Sequence, residues 1–169
     1  MGQHTTSAGD TNNVEFREIN QKDLKSFLEQ RVSNKGIMLM GNTGVGKTYS
    51  MENFYLPHTK KGHEVSAYDL YQEAIINGPT FINKYLTHDL FIDDLGAEPK
   101  EVHYFGTLFS PMEMLLHERY KLYPEFKTSV STNLNMIDEI PARYGQRIAS
   151  RLKEICDLII VDGEDLRTK

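Results

Sequence analysis

The chain has 169 residues, and nineteen Lys+Arg against twenty-four Asp+Glu give it a formal net charge of −5. That length can bury one sizeable core without disulfide or metal staples. With 39% hydrophobic and 25% charged residues, the composition excludes wholesale disorder and collagen-like or mucin-like sequence. No apolar run approaches the ~18–20 residues needed to cross a bilayer, so no membrane partner is expected. The negative charge argues against a nucleic-acid binder that uses its whole surface, while a local basic patch stays open. Cys156 is the single cysteine. It can form no intrachain disulfide, and its place before an apolar run reads as a small buried residue. With no hydrophobic leader, the expected compartment is the cytoplasm.

Residues 1–13 (MGQHTTSAGDTNN) are polar after Met1 and are expected to be a disordered tail. Met1, Gly2 and Thr6 match the myristoylation pattern, but no polybasic cluster follows as a second anchor. Residues 14–34 read as a helical segment, with Leu24, Phe27, Leu28 and Val32 at helical spacing. Ser33-Asn34-Lys35-Gly36 stops it. Residues 35–169 then alternate strands with helices. Ile37–Met40 is a continuous apolar run, as in a strand covered on both faces. A helix is expected from about Lys47 to Tyr55, stopped by Pro57, and a weaker strand over Glu64–Tyr68. Asp69–Tyr85 reads as helix interrupted at Asn77-Gly78-Pro79. Leu90-Phe91-Ile92 is the next strand. Ser110 before Pro111 reads as an N-cap with proline in the first turn. Ser129-Val130-Ser131 is a strand, Arg143–Glu154 a helix with Ile148 and Leu152 on one face, and Leu158–Val161 the last strand. Such alternation predicts an α/β fold, a three-layer αβα sandwich around a central parallel sheet.

The first of these strands runs into Gly41-Asn42-Thr43-Gly44-Val45-Gly46-Lys47-Thr48, a complete G-x-x-x-x-G-K-[ST] phosphate loop, or Walker A motif. The glycines let the backbone curl so that successive N–H groups point at phosphate oxygens. Gly46 allows close approach, the Lys47 ammonium reaches the β- and γ-phosphates, and the Thr48 hydroxyl can ligate Mg²⁺. The expected cofactors are therefore ATP and Mg²⁺. Fifty-two residues after Gly41, the apolar strand 90–92 ends in Asp93-Asp94, as a Walker B element does. Its carboxyl end should open on the ligand crevice. Asp93 would hold Mg²⁺ through water, and Asp94 would orient or deprotonate the attacking water. The alternative for Asp94 is a cap for the following helix or a loop tie.

Leu90-Phe91-Ile92-Asp93-Asp94-Leu95-Gly96-Ala97-Glu98 resembles the I-D-D-L-G-x-E signature of the AAA+ helicase loaders of the DnaC/IstB type. Ser131-Thr132-Asn133-Leu134 resembles the sensor 1 strand end of that family. Tyr144-Gly145-Gln146-Arg147-Ile148-Ala149-Ser150-Arg151-Leu152 resembles its G-x-R-I-x-S-R-L segment, which carries an arginine finger. The likeness runs from about Lys35 to Val161. It implies an ASCE-type P-loop NTPase core, an ATPase that assembles side by side with ATP between neighbours. It also implies that Asn133 positions the attacking water and that Arg151, with Arg147 as second choice, reaches the neighbour's γ-phosphate. Arg167 falls roughly where the family can place a second sensor arginine. The chain departs from the family in its short N-terminal region and in leaving no room for a separate lid domain after the last strand.

The implied role is loading or remodelling a replicative DNA helicase, with the replicative helicase as partner and assembly on single-stranded DNA. Tyr68, Tyr71, Phe81, Lys84 and Tyr85 suit contact with a single strand, or simply pack a helical pair. Lys60-Lys61 suits a phosphate contact or a solvated loop. The alternatives are a transposition helper that recruits a transposase, a small-molecule kinase, and a non-catalytic nucleotide-dependent assembly subunit. The six histidines show no metal-ligand or triad spacing.

Overall fold

A computed structural model describes residues 15–59 and 62–168. The expected tail over 1–13, with its myristoylation pattern, and Lys60-Lys61 lie outside the described residues.

Six strands form one parallel sheet: β1 (Phe16–Asn20), β2 (Gly36–Met40), β3 (His63–Ser66), β4 (Leu90–Leu95), β7 (Thr128–Thr132) and β8 (Cys156–Asp162), in the order β1-β8-β2-β7-β4-β3. Two short strands, β5 (Val102–Tyr104) and β6 (Thr107–Phe109), make a separate antiparallel hairpin. Helices α1 (Gln21–Gln30) and α2 (Lys47–Ser50) cover one face. Helices α3 (Ala67–Asn77), α4 (Pro111–Leu122), α5 (Glu139–Tyr144) and α6 (Gln146–Ile155) cover the other. This is the three-layer α/β/α arrangement of a P-loop NTPase.

The central strands are buried on both faces because each side chain along them meets one helical layer or the other. In β2, Met38 and Met40 join the core under α3, α4 and α6, while Ile37 and Leu39 join the core under α1 and α2. β4 repeats this with Leu90 and Ile92 against Phe91, and β8 with Leu158 against Ile159 and Val161. Burying one such Leu or Ile is worth about 1.5–3 kcal/mol. Any of them mutated to Asp would therefore break the sheet before it touched the site.

Local chemistry sets the boundaries. Asn20 caps α1 through its side chain, which accepts from the Lys22 N–H at 3.0 Å, and Ser66 caps α3 by accepting from the Asp69 N–H at 3.0 Å. α1 stops at Gln30, so Val32 is 99% exposed and takes no part in the apolar stripe. The expected helix 47–55 is α only to Ser50 and widens into a π turn over Met51–Tyr55. α3 ends at Asn77 and a 3-10 turn spans Gly78–Tyr85. Ser110 stands at the N-cap of α4, yet its hydroxyl is buried without a partner and its carbonyl takes the Met114 N–H. Gly145, at φ 85°, splits the expected helix 143–154 into α5 and α6.

Candidate functional site

Strand order decides which side chains share the carboxyl edge of the sheet. β2 lies between β8 and β7, and β4 follows β7. The loop after β2, the end of β4 and the residue after β7 therefore meet.

In the loop Gly41–Thr48, Gly44 and Gly46 have φ of 84° and 86°, a region that disfavours any side chain. A Cβ at Gly46 would find protein atoms only at ordinary contact distance. The backbone angle, rather than crowding by protein, thus requires glycine there. Val45 is buried beneath the loop, and Asn42 and Thr43 are exposed on it. Lys47 is only 5% exposed. Its Nζ donates to the carbonyls of Gly41 (2.7 Å) and Asn42 (2.9 Å) and to Asn133 Oδ1 (2.8 Å). No carboxylate neutralises it at bonding distance in this set. Burial lowers its pKa, against the opposing pull of Asp94 and Asp93.

Thr48 Oγ1 donates to Asp93 Oδ1 at 2.7 Å, which joins the two expected metal-side groups. Ser131 Oγ donates to the same carboxylate oxygen and accepts the Asp94 N–H at 2.9 Å. Ser131 thus holds both carboxylate residues in place, a role that the Ser-Thr-Asn-Leu string did not announce. The β4–β7 register shifts between Ile92 and Leu95, so Asp93 and Asp94 sit on a bulge. Asp94 takes φ 53°, costly backbone for a residue other than glycine. Burial, and then the adjacent Asp93, raise its pKa above the usual carboxylate value. Asn133 is exposed at the end of β7. Besides accepting from Lys47, its Nδ2 donates to Thr43 Oγ1 at 3.2 Å. Sequence-predicted residues from three separate segments are therefore brought together.

Glu98, the next acidic residue of the same segment, is not available to this group. It is 4% exposed, accepts from the Gly96 N–H (2.8 Å) and the Tyr144 hydroxyl, and pairs with Arg143 at 3.5 Å. It ties the loop after β4 to the end of α5.

Arg147 and Arg151 stand apart from this cluster. Ile148 and Leu152 anchor α6 on the sheet face covered by α4, whereas Val45 and Met51 anchor the loop and α2 on the other face. Arg147 is exposed. Arg151 is half-buried: its guanidinium lies over the Tyr120 ring, 4.7 Å from the centroid, and bonds to His117 Nδ1. Burial and then Arg151 lower the His117 pKa.

Other expectations resolve locally. Cys156 is buried, donates to the Thr128 carbonyl at 3.2 Å, and burial pushes its pKa up to about 12. Phe81 and Tyr85 are core residues, whereas Tyr68 and Ile75 are exposed. Lys84 is engaged by Glu73 at 2.8 Å. After β8 the chain turns back onto the phosphate loop, where the Leu166 N–H donates to the Gly44 carbonyl at 3.0 Å. The charge of Arg167 is felt at both Lys47 and Asp94.

No protein-family model matches the chain, and no curated protein does. Solved structures do. A candidate primosome component from Streptococcus pyogenes serotype M3 shares the fold with a TM-score of 0.61 and 17% identity, over 86% of this chain and 79% of that one. The structure of the DnaC helicase loader matches with a TM-score of 0.55 and 18% identity, over 83% of this chain and 87% of that one. At such identity the likeness shows the fold, and both neighbours agree with the resemblance carried by the motifs. Among the described residues no helix is long and apolar enough to cross a membrane.

Proposed function

We propose that this chain is an AAA+ ATPase of the DnaC/IstB helicase-loader type, which binds Mg-ATP at the carboxyl edge of the sheet. The carrying observation is the convergence of Lys47, Thr48, Asp93, Asp94 and Asn133 from three segments, with Thr48 and Asp93 in direct contact.

The donor set fits the cofactor. Mg²⁺ keeps most of its waters and takes few protein ligands alongside phosphate oxygens, and one hydroxyl and one carboxylate oxygen 2.7 Å apart suit that need. When bound, Mg²⁺ would be held by Thr48 and Asp93 and would supply positive charge that neutralises the phosphates. The chain's own residues do the rest. Backbone N–H groups of the glycine loop orient the phosphates. Lys47 exchanges loop carbonyls for phosphate oxygens as its acceptors. Asp94, whose carboxyl burial and then Asp93 hold above the usual carboxylate value, is the base that would accept a proton from water. Asn133 links the phosphate-binding lysine to the end of β7 and holds the water's position.

Arg147 and Arg151 do not reach their own chain's loop, and this supports a role toward a neighbour. We therefore place ATP between copies, with Arg151 donated in trans after it leaves Tyr120 and His117. The descriptions of the two solved neighbours, a primosome component and a helicase loader, favour a replicative helicase as client; single-stranded DNA as the platform on which copies assemble rests on the motif resemblance alone.

Lys47→Ala tests the binding reading. It removes the charge that the loop directs at phosphate, and ATP affinity should fall by at least about 100-fold with the urea midpoint little changed. An unchanged affinity overturns the assignment. The trans reading has its own test. Arg151→Ala should bind ATP normally and turn over slowly, and mixing it with Lys47→Ala should restore activity. Full turnover by Arg151→Ala alone overturns it.

A further inference from the structure

Two stretches that stand far apart in the sequence meet in the fold. The segment 90–98 ends in Glu98, which takes no part in the phosphate-loop cluster. The segment 144–152, which carries Arg147 and Arg151, begins at Tyr144. The Tyr144 hydroxyl donates to Glu98 Oε1, and both residues are buried, at 3% and 4% exposure. The other carboxylate oxygen, Oε2, accepts the Gly96 N–H at 2.8 Å, two residues past Asp94. Arg143 completes the tie. Its guanidinium pairs with Glu98 Oε1 at 3.5 Å, donates to the Glu98 carbonyl, and donates through Nε to the Tyr144 hydroxyl at 3.1 Å. The loop is held equally from the sheet side. Thr132 Oγ1 donates to the Leu95 carbonyl at 2.7 Å, and a Cβ at Gly96 would collide with Leu134. The loop after Asp94 is thus fixed to β7 on one side and to Tyr144 on the other.

Just past Tyr144 the constraints stop. Gly145 takes φ 85°, and a Cβ there would meet nothing within 4 Å. Gln146 and Arg147 are exposed. A cavity of about 410 Å³ opens beside the first turn of α6, lined among others by Tyr144, Arg147, Ile148, Met114 and His117. Tyr144 is the last anchored side chain before Arg147, and Ile148 is the next after it. A glycine between two anchors lets the angle of α6 follow whatever holds Tyr144. A buried ion pair is seldom the most stabilising link between two loops, because desolvation offsets much of its attraction. What it supplies is direction. We infer that Glu98 and Tyr144 are positioning residues for the arginine helix: the loop that carries a copy's own carboxylates also sets the direction in which that copy presents Arg147 and Arg151 to its neighbour. This rests on the trans reading above and adds to it the device that aims the arginine. Burial, and then the Glu98 charge, raise the Tyr144 pKa, so its hydroxyl stays a donor. Loss of the tie therefore shows in the neighbour's turnover and leaves the chain's own ATP binding alone.

The test mixes full-length variants in pairs at equal concentration and reads ATP turnover by phosphate release. The reference mixture is Arg151→Ala, which keeps the phosphate loop, with Lys47→Ala, which keeps the arginine. Tyr144→Phe is then introduced into one partner at a time. In the Lys47→Ala partner, which donates the arginine, it should slow turnover by about fivefold or more, since a misplacement of about 1 Å costs up to ~10²-fold. In the Arg151→Ala partner it should leave turnover within about twofold of the reference, with Mg-ATP affinity unchanged. Glu98→Gln keeps the shape and an acceptor for the Gly96 N–H but loses the charge that pairs with Arg143. It should repeat the one-sided pattern, and it stands in for Tyr144→Phe if that variant does not fold. A merely structural tie would slow both mixtures alike. Equal slowing, slowing confined to the Arg151→Ala partner, or no slowing in either mixture overturns the aiming role. A reference mixture no more active than its two components overturns the trans reading and the aiming role with it. An active reference with the wrong asymmetry overturns the aiming role alone.

Discussion

The two ends of the parallel sheet treat charge in opposite ways. At the amino end, Arg119 has no exposed surface, and its guanidinium donates to Thr128 Oγ1 (2.9 Å) and to the carbonyls of Tyr85 (2.8 Å), His88 (2.8 Å) and Lys127 (2.6 Å). Burial lowers its pKa to about 10, opposed by the nearby Asp89. Every one of those acceptors is fixed by a strand start or a turn. At the carboxyl end, Lys47 bonds to the carbonyls of a loop, Asp94 sits in left-handed backbone, and two carboxylates adjoin each other. The first arrangement is complete and has nothing left to do. The second carries strain and like-charge repulsion that a phosphate ester and a cation would relieve. A satisfied polar cluster reads as structure and a strained one as a site.

The sharpest way to break this contrast is Asp94→Asn. Asparagine tolerates the left-handed backbone and keeps the shape while losing the proton-accepting charge. Turnover should fall by about 10²–10⁴-fold with Mg-ATP binding retained, read by phosphate release beside equilibrium binding. The urea midpoint should not fall, because a like charge next to Asp93 has been removed. Normal turnover would place the base elsewhere. Glu98 is a poor substitute, since Tyr144, Arg143 and the Gly96 N–H already occupy it.

The matching change at the other end is Arg119→Met. It strands one hydroxyl and three carbonyl acceptors in a packed region and leaves the buried Asp89 without the nearby charge. Stability should drop by about 3–5 kcal/mol, measured by urea unfolding. ATP affinity of the molecules still folded should be unchanged. A loss under about 1 kcal/mol, or a selective loss of ATP binding, would erase the distinction between the ends.

The sequence made the carboxyl end legible and the amino end nearly invisible, for a physical reason. Gly41–Thr48 is contiguous, and each residue type answers a local need, so the motif carries its chemistry unaided. Asp93-Asp94 was readable because an apolar strand precedes it. Arg119 gave no signal, because its partners come from residues 85, 88, 127 and 128 and become neighbours only when β4 and β7 pair. β1 was missed for a similar reason: FREIN is polar at an edge and becomes a strand by pairing with β8. The hairpin β5–β6 was missed because three-residue strands leave no periodicity to read. The split at Gly145 was readable, since glycine at a positive φ ends a helix, but the spacing of Ile148 and Leu152 outweighed it. The return of Asp165 and Leu166 onto Gly44 depends on β8 lying beside β2, which sequence order hides.

The smallest effect concerns Glu64 on β3, where stability and site overlap. Its pKa is raised to about 7, first by burial, then by a hydrogen bond and charge from Glu52, with Asp93 adding to it. The unfolded chain releases this proton near the ordinary value of 4.5. Below that pH both states are protonated, and the contribution to stability is fully present. As pH rises toward 7 the folded chain holds a proton that the unfolded chain has lost. Stability therefore falls across that window and levels off above it. Glu64 is exposed, so solvent screening limits the effect to about 1 kcal/mol or less. Glu64→Gln should match the parent near pH 4.5 and exceed it by up to that amount at pH 8, in paired urea titrations. The difference between the two proteins isolates this residue from every other titrating group. A difference that stays flat with pH, or grows toward acid, would show that Glu64 titrates as an ordinary surface carboxylate. The strained charges of the site would then end at Asp93 and Asp94.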